Sequence, residues 1–294
     1  MSFKVFIMPI VLVGLAMSFT LAQQENTAQE TQQQISEFSL AGYGEKGEKI
    51  WDISGKTADI FGNVIKLQDI VGNMYGKENI RLTAKNGDFD KLQGKVHVED
   101  NVVIATSSGA KLTTNSLDWD RKEEIIVTED KVNITRENMT TQAQGAIGRP
   151  NLNQITLKKD VQVKINPQEE KDKIIITCDG PLEIDYAKNI AVFKNNVKVE
   201  NEDNQIYSDA MEVYFIKDQA VETSKAKVEG ETMFMGTRIE KIVARGNVKI
   251  VRGENLSYSD EAIYTVADKK VVLTGRPKLI IYSTKELGNA SSAN

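Results

Sequence analysis

A short pattern recurs along this chain of 294 residues at intervals of about 30 residues. Its refrain is a polar pair followed by an apolar residue, any residue and a second apolar residue. The first apolar position of the refrain falls at Val102, Val132, Val161, Val197, Val248 and Pro277. The longer steps before Val197 and Val248 indicate insertions. Because self-similarity at a fixed period is the signature of stacked architectures, the repeat restricts the fold more than any other feature.

Within each copy, apolar residues occupy alternate positions, and no stretch of the chain keeps a convincing helical period. The segment 182–200, for example, alternates, turns, alternates again, and continues after a kink at its polar pair. Strands of this kind form antiparallel sheets with one apolar face, which a second sheet must cover. The sequence therefore predicts an all-β fold with two facing sheets, a sandwich or jelly roll in which the repeats stack.

The alternation also predicts which side chains point inward. The predicted inward positions are Val96, Val98, Val102, Ile104, Ile126, Val132, Ile134, Ile155, Leu157, Val161, Val163, Phe193, Val197, Val199, Val248, Ile250, Val271, Leu273, Leu279 and Ile281. Medium-sized branched residues of this kind line a slot between sheets. The pattern leaves open whether that slot is a filled core or an empty groove.

The first residues of the chain have the features of an export signal. Lys4 is the only charge before an uncharged, apolar run, and small residues precede a possible cut before Gln23. Retention of this run as a membrane anchor remains an equal alternative, since its length is at the short end of a membrane span. The Gln-rich stretch that follows has almost nothing to bury and is typical of a flexible linker.

Five segments are predicted from these features. They are a signal peptide or anchor at 1–22, a linker at 23–36, a first β-domain at 37–166, a second β-domain at 173–283 and a disordered tail at 284–294. The boundary between the domains rests on Pro167 and the charged run around it, because proline cannot continue a strand ladder. A long hairpin loop inside one continuous sandwich is the alternative.

Composition excludes several classes of function. The formal net charge of −5 and the 6% of aromatic residues argue against a nucleic-acid binder. With His97 as the only histidine, neither a catalytic triad nor a multi-histidine metal site is possible within the chain. Cys178 is the only cysteine, so no internal disulfide forms. We therefore expect a protein that is not an enzyme and that has no cofactor and no metal.

A stack of strands also has two end strands with unpaired backbone groups. Such edges can pair with another chain, and head-to-tail pairing gives an extended assembly that does not close. The sequence thus predicts that other protein chains pair with the two end strands, and that inward side chains line the interior of the stack.

The order of the motifs resembles a known family. The first half is similar to LptC, the periplasmic component of the lipopolysaccharide transport bridge, at residues 51–53, 67–70, 82–87, 109–114 and 117–120. The second half is similar to its relative LptA, the OstA-like domain, at residues 182–186, 191–199, 206–211 and 244–250. The resemblance covers about residues 45–283. Two departures are the presence of both halves in one chain and Pro277 in place of an apolar residue.

The resemblance implies a twisted β-jelly roll, open along one side, which holds the acyl chains of lipopolysaccharide. It implies a periplasmic protein that shields these chains and joins other transport components head to tail through edge strands, with an inner-membrane tether if the anchor is retained. The residues expected to line the groove are Val102, Ile104, Val132, Ile134, Val161, Val163, Phe193, Val197, Val199, Val248, Ile250 and Leu279. Arg81, Arg149, Arg245 and Arg276 are candidates for contact with lipid phosphates.

Two other functions remain as alternatives. A structural β-solenoid, such as an adhesin or an envelope scaffold, would have the same repeat and a filled core. A carbohydrate-active β-helix enzyme would need a convergent pair of acid and base groups. Carboxylates at alternate positions, such as Asp88 and Asp90 or Asp118 and Asp120, are better explained as solvated pairs next to turns.

Overall fold

A computed structural model describes residues 33–76, 78–165, 173–202, 204–216, 233–234, 237–268 and 270–282. These residues form antiparallel strands almost throughout, with one short 3-10 helix at Pro150–Leu152. The predicted all-β fold is confirmed. The predicted signal or anchor, the linker before residue 33 and the tail at 284–294 lie outside the described residues.

Eighteen strands are described. The first nine are β1 (Gln33–Tyr43), β2 (Lys49–Phe61), β3 (Val64–Met74), β4 (Ile80–Asp90), β5 (Lys95–Thr106), β6 (Lys111–Asp120), β7 (Ile125–Arg136), β8 (Met139–Arg149) and β9 (Gln154–Ile165). The others are β10 (Ile174–Cys178), β11 (Leu182–Asp185), β12 (Ile190–Glu200), β13 (Asn204–Ile216), β14 (Met233–Phe234), β15 (Thr237–Arg252), β16 (Asn255–Thr265), β17 (Lys270–Thr274) and β18 (Lys278–Ile280).

The linker boundary predicted at residue 36 was wrong. The segment from Gln33 to Ser36 forms the start of β1, where Gln33 is opposite Ile60 and Ser36 is opposite Thr57 of β2. Polar composition alone indicated a flexible segment, but a neighbouring strand supplies partners for its backbone groups. The ladder hydrogen bonds therefore decide the conformation here.

All the strands belong to one hydrogen-bonded sheet that runs through the described chain. Neighbouring strands in the sequence pair with each other, with three exceptions. One is β13, which pairs with β15, as the short β14 also does. In the other two places, a pair of short strands shares one position in the sheet. Strands β10 and β11 lie end to end beside β9, one paired with each half of that strand. Strands β17 and β18 lie in the same way beside β16. The two facing sheets that the sequence predicts are two arms of this single sheet.

The polar pair of the refrain marks the line along which the sheet folds. Near the middle of most strands the register shifts, which is the mark of a β-bulge, and a bulge bends its strand. The bend residues with left-handed backbone include Asp69, Asp100, Asn101, Asp160, Asn195, Asn196, Gly246 and Asn247. Aspartate, asparagine and glycine tolerate this conformation better than other residues. The refrain is thus conserved from copy to copy of the repeat because each strand must bend there.

Side-chain hydrogen bonds connect neighbouring strands along the bend. The Nδ2 atom of Asn86 donates to Asp100 Oδ2 at 2.8 Å, and Asn247 Nδ2 donates to Asp209 Oδ2 at the same distance. The hydroxyl of Ser116 donates to Asp130 at 2.7 Å. These polar groups satisfy one another where the regular ladder is interrupted.

The bend divides the sheet into two arms with an apolar interior between them. We call the arm that contains Leu67, Leu157 and Phe193 the first arm, and the arm that contains Ile104 and Val163 the second arm. Leu157, Phe193 and Val163 are fully buried and belong to one cluster of buried residues. The apolar faces of the two arms therefore cover each other, as a jelly roll requires.

The predicted division into two domains, 37–166 and 173–283, stays a prediction. Ile174 of β10 is directly opposite Ile165 of β9, so the sheet continues past the predicted boundary. The buried core divides elsewhere. A small cluster extends from Ile70 to Leu117, and a large cluster extends from Val132 to Ala262. The residues around Pro167, on which the predicted boundary rests, lie outside the described residues.

Candidate functional site

Three rows of inward side chains run across the strands, because residues directly opposite in an antiparallel pair point to the same face. The first-arm row is Ile35, Ala58, Leu67, Gly87, Val98, Leu117, Thr128, Ala146, Leu157, Leu182, Phe193, Met211, Ala244, Ala262 and Leu273. The second-arm row is Leu40, Ile53, Gly72, Leu82, Ile104, Leu112, Ile134, Thr141, Val163, Ile176, Val199, Ile206, Ile250, Ser257 and Leu279.

The third row lies further along the first arm, next to its turns, and we call it the rim row. Its members are Ile60, Ile65, Phe89, Val96, Trp119, Ile126, Gly148, Ile155, Ile184, Ala191, Val213, Ile242, Tyr264 and Val271. The three rows are almost entirely apolar. Together they form a continuous lining between the two end strands.

From β2 to β6 this lining forms an open trough, which we call the open section. Residues next to the bend, such as Val98 and Val102, are buried and form its floor. Leu67, Leu82 and Ile104 are only half-buried, and Trp119, further out in the rim row, remains 37% exposed. The cross-section of the open section is therefore a V with a buried apolar floor and partly exposed apolar walls.

Gly72 provides a direct measure of the space in the open section. It lies in the second-arm row between Ile53 and Leu82, and a Cβ atom added to it would have no neighbour within 4 Å. Gly87, next to the floor, is different, because a Cβ atom there would be 2.7 Å from Cδ1 of Ile70. The trough is thus tightly packed at the bend and empty above it.

From β8 to β13 the same rows are packed together, and we call this part the closed section. Phe193, Leu157 and Val163 have no exposed surface there or almost none. At the ends of the arms, Met139 of the second arm and Phe215 of the first arm are both 4% exposed and belong to the same cluster. The two arms therefore meet along their free ends in this section.

Tyr186 lies at the seam of the closed section. It follows β11 at the end of the first arm, and its ring contacts that of Phe215 edge to face, with the centroids 6.3 Å apart. Burial raises the pKa of its phenol, with smaller opposing effects from Arg136, which lowers it, and Glu78, which raises it. Since both charged residues lie at the end of the second arm, the tyrosine bridges the two free ends.

The residues predicted to line a groove fall into three groups. Val102, Val132, Ile134, Val161, Val163, Phe193, Val197 and Val248 are buried in the packed clusters. Ile104, Val199 and Ile250 are half-buried and pack against those clusters. Leu279 is 59% exposed, because it lies on the end strand β18 and no other strand of the described residues covers it. Their role in binding a lipid stays a prediction.

The sequence analysis missed several lining residues of the open section. These are Leu67, Leu82, Phe89, Leu112 and Trp119. They come from β3, β4 and β6, which lack the refrain in its full form, so the repeat did not mark them. The alternation within these strands was the signal that could have found them. Val271 and Ile281 were also predicted to point inward but are exposed, because they lie at the same end of the sheet as Leu279.

Charged groups lie mainly on the outer face and at the ends of the arms. Hydrogen bonds from Asn73, Lys49 and Tyr75 hold the pKa of Asp52 at about 2. On the outer face, the side chain of His97 contacts Asp118 at 2.7 Å, and this contact raises the pKa of the histidine. Both clusters are held by contacts with their own neighbours.

The arginines proposed for phosphate contact have different surroundings. Arg245 forms ion pairs on the outer face with Glu212 and Glu261, which occupy its guanidinium. Arg81 lines a cavity of about 230 Å³ at the end of the second arm, beside Asn73 and Tyr75. A larger cavity of about 320 Å³ lies beside the bend and is lined largely by polar residues, among them Asn101, Lys131 and Asn133. The first of these cavities is lined mainly by residues of β3, β4 and β5, and the second by residues of β5, β6 and β7.

Two further features of the described residues bear on the class of protein. They contain no group of three or more histidine, cysteine, aspartate or glutamate side chains placed to hold a metal ion. None of them lies in a helix that is long and apolar enough to cross a membrane. The described chain is an all-β, jelly-roll-like molecule whose distinguishing feature is an apolar trough.

Comparison with known families agrees with this class. Residues 5–166, more than half of the chain, match the family described as "Lipopolysaccharide-assembly, LptC-related". The chain therefore belongs to the LptC-related family. Residues 180–293 match the family described as "LptA/(LptD N-terminal domain) LPS transport protein". Membership of the LptC-related family gives the protein a role in lipopolysaccharide transport.

A solved structure similar to part of the chain is that of LptH from Pseudomonas aeruginosa, described as the LptA homologous periplasmic component of the conserved lipopolysaccharide transport device. It is 13% identical, and the alignment covers 69% of this chain and 95% of LptH with a TM-score of 0.20. That TM-score is too low for the alignment to bear on fold or function. No curated protein matched the sequence.

Proposed function

We propose that this protein is a non-enzymatic carrier that shields the acyl chains of lipopolysaccharide in the open section of its trough. The observation that supports this most is the set of half-buried apolar side chains, including Leu67, Leu82 and Ile104, around the empty space at Gly72. A filled core would not leave three rows of apolar residues partly exposed on the inner face. A monomer rarely exposes a contiguous apolar surface without a partner for it.

The energetics of lipid transfer explain why such a trough is needed. Burial of an acyl chain is worth about 0.8 kcal/mol per CH₂, so one long chain left in water costs on the order of 10 kcal/mol. Strands lie about 4.8 Å apart, so the five strands from β2 to β6 give a lining roughly 19 Å long. Floor and walls are apolar apart from Thr114, which is opposite Val102 in the floor. A lining of this kind allows an acyl chain to bind without a fixed register and to slide.

The end strands support a second part of the proposal, which is that the protein forms part of a bridge between the inner and outer membranes. Ile35 and Leu40 on β1 are 47% and 58% exposed, and Val271 and Leu279 on β17 and β18 are 53% and 59% exposed. These residues are the terminal members of the inward rows. An edge strand of another transport component, added at either end, would cover them and extend the lining.

The site of action in this proposal is the periplasm, to which residues 1–22 direct the chain as a cleaved signal or an inner-membrane anchor. The predicted groove-lining role of the buried residues, such as Val163 and Phe193, requires the arms of the closed section to separate. The closed section is also the observation that favours the alternative function, a structural β-solenoid scaffold. The two functions differ in what the open section binds.

A pair of adjacent substitutions in β4 tests the carrier function. Leu82→Glu places a charge on the inner wall of the open section, whereas Thr83→Glu places it on the outer face of the same strand. Lipopolysaccharide that copurifies with the full-length protein is measured for each variant. Loss with Leu82→Glu and retention with Thr83→Glu supports the carrier, while equal amounts bound to both variants support the scaffold.

A further inference from the structure

We propose that Arg121 is the residue that binds the anionic headgroup of the lipid, a phosphate, at the edge of the open section. This inference rests on the proposed carrier function, and it assigns to one side chain the contact that fixes the headgroup. The residue follows β6 directly, in the turn that joins β6 to β7 at the end of the first arm. Its side chain is half-buried.

The position of the guanidinium is set by two aromatic rings of the rim row. The Cζ atom of Arg121 lies 5.8 Å from the ring centroid of Phe89 and 5.9 Å from that of Trp119. Phe89 and Trp119 are on β4 and β6, and both are opposite Val96 of the strand between them. The cation is therefore held at the inner edge of the trough, between two rings that point inward.

No carboxylate of the described residues forms an ion pair with Arg121. The two aspartates in the adjacent turns accept hydrogen bonds from the backbone of their own turns. Asp120 accepts from the N–H groups of Lys122 and Glu123, and Asp90 accepts from those of Leu92 and Gln93. These bonds also lower the pKa of Asp120. Neither aspartate is paired with the guanidinium, and the cation keeps its capacity for a ligand.

The chemistry of this arrangement fits a phosphate on an amphiphile. A guanidinium that stacks on aromatic rings keeps its N–H groups available at its edge, where two of them can donate to one oxyanion. The apolar walls begin directly below the cation, so acyl chains in the trough would place a headgroup at its height. A free phosphate ion would gain the same hydrogen bonds but none of the apolar contacts.

Trp119 provides a signal for the test, since Trp51 is the only other tryptophan. The full-length protein with Trp51→Phe is placed in nanodiscs of phosphatidylcholine, and Trp119 fluorescence is followed during titration. The probes are bisphosphorylated lipid A, the same lipid A with both phosphates removed, and inorganic phosphate. The variants are Arg121→Gln, Arg121→Lys and the control Lys122→Gln, whose ammonium group instead donates to the backbone oxygen of Leu92.

The expected result is that Arg121→Gln weakens the binding of phosphorylated lipid A roughly ten-fold and leaves the binding of the dephosphorylated lipid unchanged. The affinity of Arg121→Lys for phosphorylated lipid A should be intermediate between those of Arg121→Gln and the parent. The affinity of Lys122→Gln should equal that of the parent. An equal loss for both lipids, or no loss for either, overturns the headgroup assignment while the carrier function stands. Binding of inorganic phosphate as tight as that of the lipid also overturns it. If the parent binds neither lipid, the carrier function itself fails.

Discussion

At the scale of single residues, the structure identifies Gly72 as a place where a side chain would fill the trough. Gly72→Phe should abolish the binding of lipopolysaccharide, because the ring would occupy the empty space between the walls. The fold should persist, since an added Cβ atom has no neighbour within 4 Å. Bound lipopolysaccharide and the unfolding midpoint in urea are measured together. Val71→Phe, on the outer face of the same strand, is the control and should bind normally.

A single histidine allows a residue-scale test of the outer face. The contact with Asp118 raises the pKa of His97, so Asp118→Asn should bring it down toward its ordinary value of about 6.5. Because the pKa is raised in the folded state, the pair stabilises the fold below about pH 6.5, and this contribution disappears as the pH rises through the folded pKa. An NMR titration of the ring protons follows only this residue. An unchanged titration in the variant would contradict the contact.

Much of the inward alternation was readable from the sequence, because each residue in a strand has its face fixed by the period of two. Val102, Val132 and Phe193 were predicted inward and are buried. Burial itself was not readable, since it depends on which strand lies opposite. Leu279 has the same apolar character as Val163, yet one is on an end strand and the other lies deep inside the closed section. The contact between Trp119 and Arg121 was missed because it depends on the conformation of the turn that joins β6 to β7.

At the scale of strands, the bend depends on backbone conformations that only some residues adopt. Gly180, between β10 and β11, has a φ of 100°, and a Cβ atom there would be 2.3 Å from the backbone oxygen of Lys158. Gly180→Ala should therefore lower the free energy of unfolding by about 1–3 kcal/mol. Gly109→Ala is the control, with a positive φ but no neighbour within 4 Å, and its cost should be about 1 kcal/mol. Urea denaturation compares them, and equal costs would contradict the packing described at Gly180.

The closed section supplies the second test at this scale. Phe193 on β12 has no exposed surface, so Phe193→Ala leaves a cavity in the larger core and should cost about 3–5 kcal/mol of unfolding free energy. Val271→Ala on the half-exposed end strand β17 should cost less than about 0.5 kcal/mol. The difference is measured by urea denaturation. A small loss at Phe193 would show that the section is not packed in solution.

The repeat allowed the strands and their bends to be predicted, because the polar pair occupies the positions at which the backbone of each strand must bend. It did not show that the sheet continues from β9 into β10, since the intervening charges and Pro167 are equally typical of a linker and of a hairpin loop. It also could not show that β1 begins at Gln33. Both features depend on hydrogen bonds to a strand distant in sequence, which leave no local trace.

At the scale of the whole molecule, the lining changes from open to closed between β6 and β8 and becomes exposed again at the end strands. A lipid that moves along the whole lining must therefore separate the arms of the closed section. The seam at Tyr186 and Phe215 is the part that would have to open. The account thus predicts that lipid is found more often in the open section than in the closed section.

Photo-crosslinking in the native envelope tests the central claim most directly. A photoreactive residue is placed at Ile104 on the inner wall, at Val103 on the outer face of the same strand, and at Val163 in the closed section. The account predicts strong labelling by lipopolysaccharide at Ile104, weaker labelling at Val163 and none at Val103. Equal labelling at Ile104 and Val103, or none at all, would contradict a lipid-filled trough.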